Sequence, residues 1–200
     1  MKHILAFFGA FNPPTVAHLE LAQSAMEKTG RDGVMFVPSK SMYIRQDQGK
    51  DFAYRDEQRL QMLCAAAQSR SWMQVTDWEM HRPTQPRTYE TLCHLREEGW
   101  QPALLMGSDK LPELEKGWLH VDKIAREFGI VCMSRGTDDC TQMIEENEYL
   151  RSLAPFIQVV QTPDSLRYVS STAVRQILRQ TQPDKDMLSR MVPAEIMELL

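Results

Sequence analysis

The sequence predicts an α/β fold, a Rossmann-like doubly wound parallel sheet with C-terminal helices, on three observations. Short apolar runs at 4–8, 34–37, 102–106 and 130–133 alternate with segments of helical period, the pattern of βαβ units. The runs break off in Gly or Pro loops, and everything from Ser170 onward has a helical pattern punctuated by Pro183 and Pro193. Finally, 200 residues with 42% hydrophobic and 25% charged side chains suit one ordinary globular domain with a real core.

Taken in order, Ile4 to Phe8 reads as a buried strand, and His18 to Thr29 as a helix ending at Gly30. Val34 to Val37 is a second strand closed by Pro38. Residues 39–53 are polar and without period, which predicts a long binding loop. Tyr54 to Ser69 returns as a helix with Leu60, Leu63, Cys64 and Ala67 on one face. Met73 to Glu79 alternates as a half-buried strand, and 80–87 is loop. Thr88 caps a helix to about Glu98, ended by Gly99. Pro102 to Met106 is the central strand. Helical segments follow at 111–115 and 121–128, then a strand at 130–133, a polar helix at 141–153 and a last strand at 156–160. No repeat or linker composition divides the chain, so one domain over 1–200 is the economical reading, within which 170–200 can form a small helical subdomain.

Net charge of -4 and a pI near 5.8 give no electrostatic footprint for nucleic acid, so an anionic ligand has to be held by local cations. Cysteines at 64, 93, 132 and 140 make no metal-cage spacing; they read as free, mostly buried thiols of a reducing compartment. The first apolar run is too short to span a membrane and ends in Asn-Pro-Pro rather than a cleavage site. The expectation is a cytoplasmic protein, complete from Met1, with no membrane partner; its oligomeric state is not legible.

Three junctions carry polar chemistry. In GAFNPPTVAHL, Gly9 lets backbone approach a ligand and His18 stands at a helix start, although a plain turn with a solvent-facing His fits equally. In MGSDK, Asp109 can bond ribose hydroxyls or simply cap a helix. In VSSTAVR, Ser170, Ser171 and Thr172 with Arg175 one turn on make a phosphate cradle or an overbuilt helix cap.

In this order the three resemble the nicotinamide/nicotinate mononucleotide adenylyltransferases of the nucleotidyltransferase superfamily. Gly9, Phe11, Pro13, Thr15 and His18 match the loop G-x-F-x-P-x-(H/T)-x-x-H, in its eukaryotic-type form. Val169, Ser170, Ser171, Thr172, Val174 and Arg175 match I-S-S-T-x-I-R. TDWE, residues 76–79, is similar to the family's strand-end tryptophan motif, MGSD to its G-A-D, and Trp118 falls where a second tryptophan follows. Thr15 stands where most of the superfamily has a histidine, and Ala17 where it has glycine.

The resemblance implies attack of a mononucleotide 5′-phosphate on the α-phosphorus of ATP, giving a dinucleotide and pyrophosphate without a covalent enzyme intermediate. Catalysis falls to His18 and Arg175. ATP is met by Gly9, Ala10, Phe11, Thr15, Gly107, Asp109, Ser170, Ser171 and Thr172. The mononucleotide is met by Arg45, Trp78, Thr91 and Trp118, with Lys40 competing with Arg45 for phosphate and Thr88 with Thr91 for the pyridine substituent. Mg²⁺ arrives on the ATP phosphates, and the chain itself contributes no metal site. Other phosphate acceptors, or a nucleotide sensor that has lost turnover, are the alternative readings; the choice between nicotinamide and nicotinate is not written in the sequence.

Overall fold

Six strands, β1 (Lys2–Gly9), β2 (Gly33–Pro38), β3 (Met73–Val75), β4 (Trp100–Gly107), β5 (Ile130–Ser134) and β6 (Ile157–Gln161), form one parallel sheet in the order β3-β2-β1-β4-β5-β6. The computed structural model describes residues 1–46, 54–134, 138–162, 166 and 168–200. The flanking helices are α1 (Val16–Thr29), α2 (Ser41–Gln46), α3 (Asp56–Ala67), α4 (Thr88–Glu97), α5 (Val121–Phe128), α6 (Cys140–Glu146), α7 (Glu148–Leu153), α8 (Ser171–Leu178) and α9 (Lys185–Met191). Turns of 3-10 helix cover Ser108–Glu113, Ala154–Phe156 and Ala194–Leu199. Chain order reverses between β1 and β4, which pair in parallel with Phe7 opposite Leu105. Open α/β sheets bind ligands outside the carboxyl ends of the strands at such a reversal.

The apolar runs become strands because helices cover both faces of a parallel sheet. β2 and β5 are buried along their whole length, while edge strand β6 exposes Gln158 and Gln161. Pro102 sits in central β4 without breaking it: pairing with β5 begins only at Leu104, opposite Ile130. α1 ends as its Gly30 predicts, with that residue left-handed at φ 64° and Arg31 N–H bonding back to the Met26 carbonyl at 3.0 Å.

By packing, the chain forms two units. The first comprises Met1–Phe7, Leu21–Val34 and Pro86–Asp164. Its core is Leu104, Leu105, Ile130 and Val131 with Leu92, Leu95 and Ile124 from α4 and α5. The second comprises Phe8–Glu20, Met35–Gln85 and Ser165–Leu200. Phe11, Phe36, Met62, Leu63, Val174 and Ile196 are buried there. The Ala194–Leu199 turn lies against α3, where Arg70 meets Glu195 at 2.8 Å.

Several expectations are corrected. The loop read over 39–53 contains helix α2, and residues 47–53 lie outside the described set. The strand read to Glu79 stops at Val75; after Thr76 N–H bonds the Phe36 carbonyl at 3.1 Å, the chain turns, with Met80 N–H on the Asp77 carbonyl. Thr88 is the first helical residue of α4 and not its cap, which is Arg87. Segment 111–115 is replaced by the 3-10 turn Ser108–Glu113, so Asp109 lies inside a helical turn whose cap is Gly107. The helix read over 141–153 divides at Asn147, whose side chain accepts from Leu150 N–H and starts a new helix. The buried side of α3 is Arg59, Met62, Leu63 and Ala66, about 100° round from the face expected. All four cysteines are free, but Cys64 is exposed and Cys93 half-buried; only Cys132 and Cys140 are buried, with sulfurs 3.5 Å apart.

Candidate functional site

The loop after β1 lies in the second unit and turns on Phe11, whose φ of 43° is a left-handed value that side chains seldom adopt. That turn folds the Phe11 ring over Gly9, where a Cβ would stand 3.0 Å from the ring. The same ring meets the His18 imidazole edge to face, with centroids 5.2 Å apart. Thr15 then caps α1. Its Oγ1 lies 2.7 Å from His18 Nδ1, its backbone N–H donates to Nδ1 at 3.1 Å, and His18 N–H reaches Oγ1 at 3.4 Å. An amide can only donate, so Nδ1 accepts with its lone pair and the neutral ring bears its proton on Nε2.

Helix α8 holds this loop from the other end of the sequence. Ser170 caps α8, its hydroxyl accepting from Ala173 N–H at 3.1 Å. Ser171 donates its hydroxyl to the Pro13 carbonyl at 2.8 Å, and Arg175 donates Nη1 to the Asn12 carbonyl at 2.8 Å and Nη2 to Thr172 Oγ1 at 3.2 Å. Arg175 is 8% exposed; burial, then the neighbouring Arg179 charge, draw its guanidinium below its ordinary value, though an arginine remains charged. Asn12, itself buried, accepts from Tyr54 N–H at 2.9 Å through Oδ1. The loop backbone is therefore fixed at Pro13 and Asn12 by hydrogen bonds from residues more than forty positions away.

A third tie comes from Arg59, fully buried on α3. Its guanidinium donates to the Ala10 carbonyl at 2.6 Å, to the Ser39 carbonyl and to Asp56 Oδ1 at 2.6 Å. Asp56 also accepts from Ser41 N–H at 2.7 Å and from its hydroxyl. Thus one buried cation joins the loops after β1 and β2. Lys40 directs its amine to the Met80 carbonyl at 3.1 Å and to that of Arg82. Trp78 stands half-buried in the turn so held, with the Arg82 guanidinium 4.2 Å from its ring centre. Arg45 falls in α2, and its side chain lies outside the described set.

In the first unit, Gly107 ends β4 and Asp109 follows in the 3-10 turn. A Cβ on Gly107 would come 2.6 Å from Asp109 Oδ1, so glycine is what lets the carboxylate fold back over the strand end. Ser108 is buried and bonds Asp138 at 2.7 Å, leaving the exposed Asp109 as the carboxylate of this strand end that faces solvent. Thr91 is fully buried in α4, and Trp118 is half-buried beyond the turn.

The second unit thus brings together Gly9, Ala10, Phe11, Thr15, His18, Ser171, Thr172 and Arg175 around one loop, and the first brings together Gly107 and Asp109. Thr91 and Trp118 stand on separate elements of the first unit, and Trp78 in its own turn of the second. Arg59, Asn12 and Arg82 were not singled out by sequence. An arginine on the otherwise apolar face of α3 was the one available signal, and it reads as solvent-facing until burial is seen.

A parallel sheet reversing at its middle, with a capped histidine opening the first helix, makes this an open doubly wound α/β protein, a class whose ligands bind outside the carboxyl ends of the strands. The sequence profile of the cytidylyltransferase-like family matches residues 6–177. A protein of Flavobacterium johnsoniae named "Probable nicotinate-nucleotide adenylyltransferase" is 30% identical over 176 residues, covering 87% of this chain and 85% of that one. "Nicotinamide/nicotinic acid mononucleotide adenylyltransferase 2" of Caenorhabditis elegans is 28% identical, covering 100% and 96%. The chain belongs to the cytidylyltransferase-like family, among its nicotinate- and nicotinamide-nucleotide adenylyltransferases. It shares its fold with Plasmodium falciparum nicotinic acid mononucleotide adenylyltransferase complexed with APC, at a TM-score of 0.74 and 17% identity, covering 100% of this chain and 94% of that one.

Proposed function

We propose that this chain transfers the adenylyl group of ATP to nicotinate or nicotinamide mononucleotide in NAD biosynthesis. A 5′-phosphate oxygen of the mononucleotide attacks the α-phosphorus of ATP, the α–β bridging bond breaks, and pyrophosphate leaves with the electron pair. No side chain acts as nucleophile; the protein aligns two anions and offsets their charge. The observation that carries this reading is the Thr15-capped His18, which presents an Nε2–H donor on a loop that Arg175 holds from α8.

His18 donates from Nε2 to the oxygen developing charge between the α- and β-phosphates. Arg175 supplies its remaining N–H groups, with the N-terminal amides of α8, to the β- and γ-phosphates. Gly107 and Asp109 are assigned to the adenosine ribose, Trp78 to stacking on the pyridine ring, Trp118 and Thr91 to the mononucleotide, Thr91 at its pyridine substituent, and Lys40 or Arg45 to its phosphate. Residues 9–18 and 170–175 contain no carboxylate, so Mg²⁺ suits a place on the ATP phosphates and water, where it screens their charge. Among the described residues no helix is long and apolar enough to cross a membrane; the four free thiols support the reading of a cytoplasmic enzyme.

The test is a coupled assay of pyrophosphate release from ATP with each mononucleotide. The wild type turns over, and His18→Ala loses roughly a hundred- to a thousand-fold in kcat with little loss of folding, about 1 kcal/mol from the cap bond it removes. Tight nucleotide binding without pyrophosphate release would make the chain a sensor instead.

A further inference from the structure

Helix N-termini leave backbone donors unpaired, and the common remedy is a capping box: Ser or Thr at the cap, Glu or Gln three residues on, each side chain taking the other's N–H. Here Thr15 is the cap and the third helical residue is His18, so an imidazole fills the place of the carboxylate. Nδ1 accepts the Thr15 N–H at 3.1 Å, and with Nδ1 so fixed as an acceptor the Thr15 hydroxyl, its oxygen 2.7 Å away, is the partner that donates to it. Thr15 has 0% exposure, and both its N–H and its hydroxyl oxygen lie within hydrogen-bond distance of the ring nitrogen, the hydroxyl also accepting the His18 N–H. Phe11 blocks one way for that ring to swing, through an edge-to-face contact at 71°.

We propose that Thr15 is a positioning residue for His18. It fixes the ring in the Nε2–H tautomer and in one rotamer, so the donor is aimed before substrate arrives and nothing reorganises during the reaction. The threonine does so by capping a helix, and a chain with Thr at this position needs no second imidazole to order the first. The inference rests on the reading of His18 as a phosphate donor only for its effect on turnover; the tautomer stands apart from it.

The experiment is long-range ¹H–¹⁵N correlation of the ring-labelled histidines near neutral pH, with assignment from His18→Gln, combined with steady-state kinetics. The wild type should show His18 with bare Nδ1 and protonated Nε2. Thr15→Val, nearly the same shape, keeps the backbone N–H on Nδ1 but loses the hydroxyl, so a fraction of the other tautomer should appear as partial averaging of the two ring nitrogens, and kcat should fall about tenfold with KM for ATP within about twofold. Thr15→Ser should restore the single tautomer and most of the turnover. A wild-type ring protonated at Nδ1 overturns the proposal, as does a Thr15→Val enzyme with unchanged nitrogens, whatever its kcat. If the tautomer behaves as stated while His18→Ala retains full activity, the assigned reaction role fails and the positioning does not.

Discussion

At the scale of single residues, the glycines at the two strand ends are there for neighbouring side chains. Gly9 leaves room for the Phe11 ring, and Gly107 for the Asp109 carboxylate, 2.6 Å from where a Cβ would be. Because Asp109 is exposed and flexible, Gly107→Ala should rotate the carboxylate away with little loss of stability. If Asp109 holds the ribose, one charge-assisted hydrogen bond is lost, so KM for ATP should rise about tenfold with kcat nearly unchanged. Initial rates across an ATP series check this, and an unchanged KM would detach Asp109 from the nucleotide. Motif order in the sequence is what singles out Gly9, Gly107 and Asp109. What Thr15 does with its hydroxyl could not be read there, because a hydrogen bond between a cap and a histidine three positions on has the same sequence as a solvent-facing pair.

At the scale of elements, the least foreseeable feature is α3. Its apolar spacing fitted a face through Leu60 and Cys64, whereas burial of Arg59 turns the helix to put Met62, Leu63 and Ala66 inward. The guanidinium satisfies the Ala10 and Ser39 carbonyls and Asp56, although its Nε finds no acceptor among the described residues. Arg59→Met keeps the length but takes a donor from two carbonyls and from the Asp56 carboxylate, which keeps its Ser41 bonds, and should cost about 3 kcal/mol of stability. Arg59→Lys should recover only part, since a point-like ammonium cannot span partners that a planar fork reaches together. Urea denaturation of the two variants measures both effects. The breaks at Val75 and Asn147 escaped sequence reading for related reasons: alternation continues past the last strand bond, and a capping Asn looks like any polar residue of an exposed helix.

For the whole molecule, the main strands and the fold class were legible from apolar runs because a doubly covered parallel sheet leaves its strands little freedom in composition. Stability against acid did not follow, since it depends on which carboxylates find partners. Burial pushes the Asp56 carboxyl up, but hydrogen bonds from Ser41 and then Arg59 outweigh it and hold the group below its ordinary 3.8. Glu195 is held below 4.5, chiefly by the Ser69 hydroxyl and then against burial by Arg70. Carboxyls depressed in the folded state stabilise it fully above their unfolded values and cease to do so as pH falls through the folded ones. Unfolding free energy should therefore be flat near neutrality and decline from about pH 5 downward, less steeply in Asp56→Asn; equal slopes would place the loss elsewhere. Phe11 has a consequence of another kind. Glycine would relax its left-handed backbone by about 1 kcal/mol, but the ring is buried against Phe36 as well as the histidine, and its loss would cost about 3 kcal/mol or more, so selection for a sturdier chain and selection for a faster one both hold phenylalanine here. Variants enriched for heat resistance alone should therefore keep phenylalanine at 11, and Phe11→Gly should lose stability and turnover together.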